Sequence, residues 1–202
     1  MSQKILYRLI DTAGQITAVV TTKINMEDLP KLAKSIMEKD QKVEQVGYLR
    51  GDNFQMMGGE LSINGLLASA FIRNPSTTCI TLPSSLILDT SGDIVSLKGI
   101  TYKITNNLPA SKRISFTTKK LLTTLASGTK ASGIIYYKNN TIKPLVYVSD
   151  TNTYVWENAC GSGSLAYSLV TGNRKVIQPS GKLLKFKISK NTITVTATVK
   201  EI

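Results

Sequence analysis

Two short segments, about half a chain apart, read as variations on one design. Met57-Gly58-Gly59-Glu60-Leu61-Ser62-Ile63-Asn64-Gly65 and Trp156-Glu157-Asn158-Ala159-Cys160-Gly161-Ser162-Gly163 each set a glutamate just ahead of a serine or cysteine that opens an apolar helix. The stretches before them match in kind: strands, an amphipathic helix, then more strands. A repeat with a period of about half the 202-residue chain predicts two pseudo-symmetric domains rather than a solenoid, whose units recur roughly every 20–50 residues.

In the first half, Ile5 to Ile10 and Ile16 to Thr21 read as strands around a turn at Ala13-Gly14. Leu29, Leu32, Ala33, Ile36 and Met37 share one face of a helix from Glu27 to Lys39, with Asn25 as its N-cap. A strand from Val43 to Leu49 leads to the first motif and a helix from Ser62 to Phe71. In the second half, Ile100 to Ile104 and Ile114 to Thr117 read as strands, Lys119 to Ala126 as a helix, and Gly133 to Tyr137 and Pro144 to Val148 as strands. The second motif and an apolar helix from Ser164 to Val170 follow, and strands near Leu183 to Ile188 and Thr192 to Val199 close the chain. The fold class is α/β (α+β). One domain is expected over residues 1–105 with the Ser62 motif, the other over 106–202 with the Cys160 motif.

At 42% hydrophobic residues, the chain can bury one large core or two small ones. No apolar run is long enough to cross a bilayer and no basic-then-apolar leader follows Met1, so a soluble, cytoplasmic protein is expected. The chain has no histidine, which excludes a histidine general base and any Ser-His-Asp triad. With only Cys79 and Cys160, neither a disulfide framework nor a zinc site is expected. The net charge of +12 raises nucleic acid as a partner. However, the lysines are dispersed and no aromatic stripe runs among them, so a solvated surface that draws in anionic substrates is the preferred reading.

Cys160 carries the chemistry. A cysteine at a helix start sits at the positive end of the macrodipole, which favours thiolate. Gly161 and Gly163 let the backbone approach a ligand closely, and first-turn N–H groups can hold a carboxylate. A base beside a carboxylate cradle suits proton abstraction alpha to a carboxylate. Ser62 holds the mirrored position, so the two groups could face one alpha carbon from opposite sides. The plain alternatives are that Cys160 is a small buried hydrophobe and that Glu157 only caps its helix. Cys79 reads as a residue packed in a strand, and Trp156 as a core anchor.

Glu157-Asn158-Ala159-Cys160-Gly161-Ser162-Gly163-Ser164-Leu165-Ala166 resembles the second active-site motif of the diaminopimelate epimerase superfamily, the cofactor-independent amino-acid racemases and epimerases. Met57 to Gly65 is similar to its first motif, in which the Ser62 position is normally cysteine, and Gln178-Pro179-Ser180-Gly181 resembles a turn that follows the second central helix. Glu44-Gln45-Val46-Gly47-Tyr48 and Trp156-Glu157-Asn158 most resemble the histidine racemase branch that feeds opine-type metallophore synthesis. The resemblance implies two domains, each a curved mixed or antiparallel sheet wrapped around a central helix, with the last strand free to return to the first domain. The site would lie between them, with Ser62 and Cys160 as opposed acid/base groups. Ile63, Asn64, Gly161 and Ser162 would bind the substrate, the last two through backbone N–H to its carboxylate. Gln45, Glu157 and Gln15 would be polar contacts. No pyridoxal phosphate or metal is implied; the partner is a free amino acid, histidine being the first guess, and a homodimer is the default assembly.

The chain departs from that pattern in being short, in lacking the Glu-Arg-Gly stretch that helps recognise diaminopimelate, and in carrying Ser62. The serine reads as an engineered replacement, as a native and active variant of the kind related proline racemase-like enzymes tolerate, or as a mark of a degenerate relative. Glu60, two residues away, is a candidate to relay a proton to it. Two other function classes compete: an amino-acid-binding relative without turnover, and a basic nucleic-acid binder with strongly salt-dependent binding.

Overall fold

The computed structural model describes residues 5–202. The first half runs β1 (Tyr7–Thr12), β2 (Gln15–Val20), α1 (Leu29–Lys39), β3 (Val43–Arg50), β4 (Asn53–Met56) and α2 (Ile63–Arg73). Then come β5 (Cys79–Pro83), β6 (Ile87–Ser91), β7 (Ile94–Leu97) and β8 (Ile100–Thr105). The rest is α3 (Phe116–Leu125), β9 (Ala131–Lys138), β10 (Thr141–Val148), β11 (Thr153–Trp156), α4 (Gly161–Thr171), β12 (Lys175–Ile177), β13 (Leu183–Ile188), β14 (Thr192–Thr196) and β15 (Val199–Glu201).

These strands form two mixed sheets, ordered β15-β1-β2-β3-β4 and β5-β14-β13-β12-β10-β9-β8-β7-β6, with β11 paired to β10. The duplication is visible in the connections. A hairpin (β1-β2), a crossover helix (α1), a second hairpin (β3-β4) and a central helix (α2) are matched by β7-β8, α3, β9-β10 and α4. In both copies the crossover helix joins a parallel pair, β2 with β3 and β8 with β9, as parallel neighbours require. Each sheet wraps its own central helix: α2 touches β1 to β4, and α4 touches β7, β8, β9 and β13. A helix enclosed this way must be apolar or small all round. Accordingly every residue from Gly161 to Ser168 is buried. Ile63 and Leu67 of α2 share one continuous core with Ile100, Ile135, Leu165 and Tyr167, so the central helices meet along a common interior.

Sheet membership changes at Cys79, not at 105: β5 to β8 all hydrogen-bond into the second sheet, while β15 returns to pair with β1. The remaining differences from the sequence reading are local. The Asn25 side chain makes no capping bond, because a 3-10 turn over Met26–Asp28 precedes α1, whose first turn contains Pro30. Ile114 to Thr117 is not a strand; the Ser115 hydroxyl accepts the Thr118 N–H (3.1 Å) and starts α3 at Phe116, so the cap overrides the β-branched threonines. Cys79 lies in a strand, but β5 is an edge that pairs only with β14, and the thiol is exposed rather than packed. Trp156 is half-buried in a satellite cluster with Tyr136, its indole N–H donating to the Lys112 carbonyl (2.8 Å). No helix among the described residues is long and apolar enough to cross a membrane.

Candidate active site

The two motifs meet at the starts of α2 and α4. Ser62 is the N-cap of α2, its Oγ accepting the Gly65 N–H (3.0 Å); Cys160 is the N-cap of α4, its Sγ accepting the Gly163 N–H (3.3 Å). Both cap residues are extended and both bond to the third helical residue, so the repeat extends to single hydrogen bonds. The helices are also tied to each other, N-terminus to N-terminus. The Ile63 N–H donates to Ser162 Oγ (3.2 Å), and the Gly161 N–H donates to Asn64 Oδ1 (2.7 Å). Ser162 in turn donates to the Leu61 carbonyl (2.7 Å), and Asn64 Nδ2 reaches the carbonyls of Thr12 (3.3 Å) and Ala159 (3.4 Å). These bonds consume the first amide of each helix. The amides of Asn64 and Ser162, second in each helix, donate to no group among the described residues. Two converging helix starts with uncommitted amides form an anion cradle.

The close approach of the helices depends on Gly161. A Cβ there would lie 2.5 Å from Asn64 Oδ1 and 2.8 Å from the Ile63 Cβ, on atoms that the cross-bonds hold in place. Gly161→Ala is therefore expected to lose about 1–3 kcal/mol by overpacking and to disrupt the cradle, seen as a lower urea midpoint and weaker binding of amino acids.

Around the helix starts, the polar candidate site residues Gln15, Gln45, Ser62, Asn64, Glu157 and Ser162 are brought to one place. Ser62 Oγ donates to Gln45 Oε1 (2.9 Å), and Gln45 Nε2 donates to Thr17 Oγ1 (2.6 Å). Gln15 Nε2 donates to Glu157 Oε1 (2.8 Å), while Glu157 Oε2 is buried without a hydrogen-bond partner. Glu157 thus does not cap α4; Cys160 does. Cys160 N–H is held by Gln178 Oε1 (2.9 Å), which places the Gln178-Pro179 turn behind the thiol. Glu60 does not reach Ser62: its carboxylate accepts the Gly58 N–H (2.9 Å), and the Ser62 hydroxyl is directed at Gln45 instead. Sequence reasoning missed Tyr102, whose hydroxyl lies 3.6 Å from Cys160 Sγ, and the structural part of Glu44, which grips the second motif through Asn158 N–H (2.8 Å) and Nδ2 (2.6 Å). Nothing marks a tyrosine in a β-prone run as a site residue; it arrives because β8 neighbours α4.

Gln15, Gln45, Glu60, Ser62, Tyr102, Glu157 and Ser162 line one cavity between the sheets, of about 30 Å³. That is room for roughly one water molecule, less than a free amino acid needs.

The closed cavity changes the acid–base chemistry expected at the helix starts. Burial and then the neighbouring Glu157 push the Cys160 thiol well above its ordinary range, and these outweigh the helix N-terminus. The resting form is a thiol rather than the thiolate that the helix position suggested. Desolvation likewise raises Glu157 to about 8 and both Glu44 and Glu60 to about 7. In the unfolded chain these carboxyls ionise near 4.5, so between 4.5 and about 8 the folded state binds more protons. The stability they contribute is complete below pH 4.5 and is lost as pH rises through 7 to 8. Urea unfolding is expected to show falling stability from pH 5 to pH 8.5, with a flatter profile in Glu157→Gln.

With this geometry in view, the family model described as the histidine racemase CntK N-terminal domain matches residues 87–200, which include Tyr102, Glu157 and Cys160. The chain belongs to this histidine racemase family. Histidine racemases from two strains of Fusobacterium nucleatum subsp. nucleatum are 28% identical to the chain over 229 aligned residues, covering 86% of it and 85% and 86% of the relatives. The fold is also that of a Pseudomonas aeruginosa protein described as a predicted epimerase (TM-score 0.58, 11% identity, covering 99% of this chain and 97% of that one). A phenazine biosynthesis PhzC/PhzF protein from Clostridium difficile shares it too (TM-score 0.56, 11% identity, covering 98% and 97%). Membership in the histidine racemase family makes the chain an amino-acid racemase or epimerase by class, on a two-sheet fold.

Proposed function

We propose that this chain inverts the alpha carbon of a free amino acid, histidine first among the candidates, with Cys160 on one face of that carbon and Ser62 on the other and without pyridoxal phosphate or metal. The observation that carries the reading is the pair of cross-bonded helix starts, capped by Ser62 and Cys160, with the amides of Asn64 and Ser162 uncommitted. The substrate carboxylate takes those amides, and the charge that develops on abstraction is stabilised by the same donors. The open oxygen of Glu157 receives the alpha-ammonium group. One cap residue removes the alpha proton and the other returns one to the opposite face. The name of the Fusobacterium relatives supports histidine.

The test is proton NMR of L-histidine in heavy water. Loss of the alpha-proton signal with appearance of D-histidine is expected; saturable binding of amino acids with no exchange overturns the proposal. That second outcome is the reading of a binder without turnover, and one observation favours it: the Ser62 hydroxyl is already committed to Gln45.

A further inference from the structure

The walls of the cavity carry an unusual charge. Three carboxyl side chains, Glu44, Glu60 and Glu157, line it with no lysine or arginine among them, in a chain whose net charge is +12. Buried acids without a cationic partner cost stability, and Glu157 Oε2 has no hydrogen-bond partner among the described residues, so a ligand that brings donors or positive charge finds partners here. The three acids are not equivalent. Both oxygens of Glu44 are occupied by Asn158, and Glu157 stands beside Gln15 on the motif that carries Cys160. Glu60 is left over. Only backbone amides approach it, Gly58 N–H and its own, and no side chain bonds it. Its apolar walls are Met57, Leu61, Ile100, Val146, Val148 and Val155. Gly58 brings acid and wall together: the position its Cβ would take is 2.7 Å from Glu60 Oε2 and 2.8 Å from Val148 Cγ1. Aliphatic flanks around one acid fit a compact ring that carries a basic nitrogen.

We propose that Glu60 determines the side-chain specificity of this site, its carboxyl sharing a proton with the ring nitrogen of a compact basic side chain such as imidazole. The proposal rests on reading the cavity as an amino-acid racemase site, with Glu157 at the alpha-ammonium end and Glu60 at the side-chain end. A neutral ring of the same size fills the apolar walls but leaves Glu60 with backbone amides as its partners. A hydrogen bond to a charged group adds the discrimination, roughly 10- to 100-fold in affinity.

The test is calorimetric titration of the unaltered chain and of Glu60→Gln with L-histidine and with β-(2-thienyl)-L-alanine, a five-membered aromatic ring without a basic nitrogen. The unaltered chain is expected to prefer histidine by that factor, and Glu60→Gln to bind the two compounds alike. Glutamine keeps an acceptor for the Gly58 N–H, and thermal melting checks that the variant is folded. Equal binding of the two compounds by the unaltered chain overturns the proposal without any variant, as does an undiminished preference in Glu60→Gln. In both cases, histidine that still exchanges its alpha proton leaves the racemase reading standing. Neither binding nor exchange of any amino acid, by the chain or by its Ser62→Cys form, overturns both.

Discussion

Cys160→Ser is expected to lower alpha-proton exchange by roughly 10²- to 10⁴-fold, the usual contribution of a positioned acid/base group, while leaving thermal stability nearly unchanged. The two effects separate because the residue does two jobs. As N-cap of α4 it accepts the Gly163 N–H, and a serine oxygen caps a helix at least as well. As acid/base it must gain and lose a proton at the alpha carbon, and an alkyl hydroxyl ionises far less readily than a thiol. In this structure burial and the neighbouring Glu157 hold the thiol well above its ordinary range. Exchange measured by NMR alongside a melting curve decides the matter. An unchanged rate in a stably folded Cys160→Ser overturns the assignment of Cys160.

Ser62→Cys is expected to act in the opposite direction, raising exchange by roughly 10²- to 10⁴-fold. When Cys160 takes the alpha proton, the group on the opposite face must supply one. Supplied by Ser62, that proton leaves an alkoxide, a far stronger base than a thiolate, facing Gln45 Oε1 and keeping one donor, the Gly65 N–H. A thiol in the same place leaves a thiolate, accessible near neutral pH. The cap to Gly65 N–H is formed by a longer bond to sulfur, as Cys160 already does at Gly163. No gain of exchange over the unaltered chain overturns the expectation that the serine limits the rate.

Much of this site was legible in the chain itself, for a physical reason. The residues proposed to bind and react sit at helix starts, where capping chemistry is local: a small polar residue, the amide three positions on, and glycines that admit a close neighbour. Ser62, Cys160 and Gly161 could be named from stretches of nine and eight residues because capping acts within one helical turn, whereas Asn64 and Ser162 were placed by resemblance and act between the two helices. Gln15, Gln45 and Glu157 were placed by resemblance, and the structure bonds Gln45 to Ser62 and Gln15 to Glu157 across 17 and 142 residues of chain.

The sequence by itself determined the duplication, the two central helices and the caps that open them, because hydrophobic period and capping act over a few residues. Only the tertiary structure decided the rest. Residues 79–105 joined the second sheet because β8 finds its parallel partner β9 across a helix, a long-range choice that local pattern does not encode. Glu60 turned to the Gly58 amide and away from Ser62, and Tyr102 came to lie against Cys160. The protonation of Cys160 was reversed by burial. A helix start favours thiolate over one turn, but enclosure by two sheets with no cation among the cavity walls outweighs it.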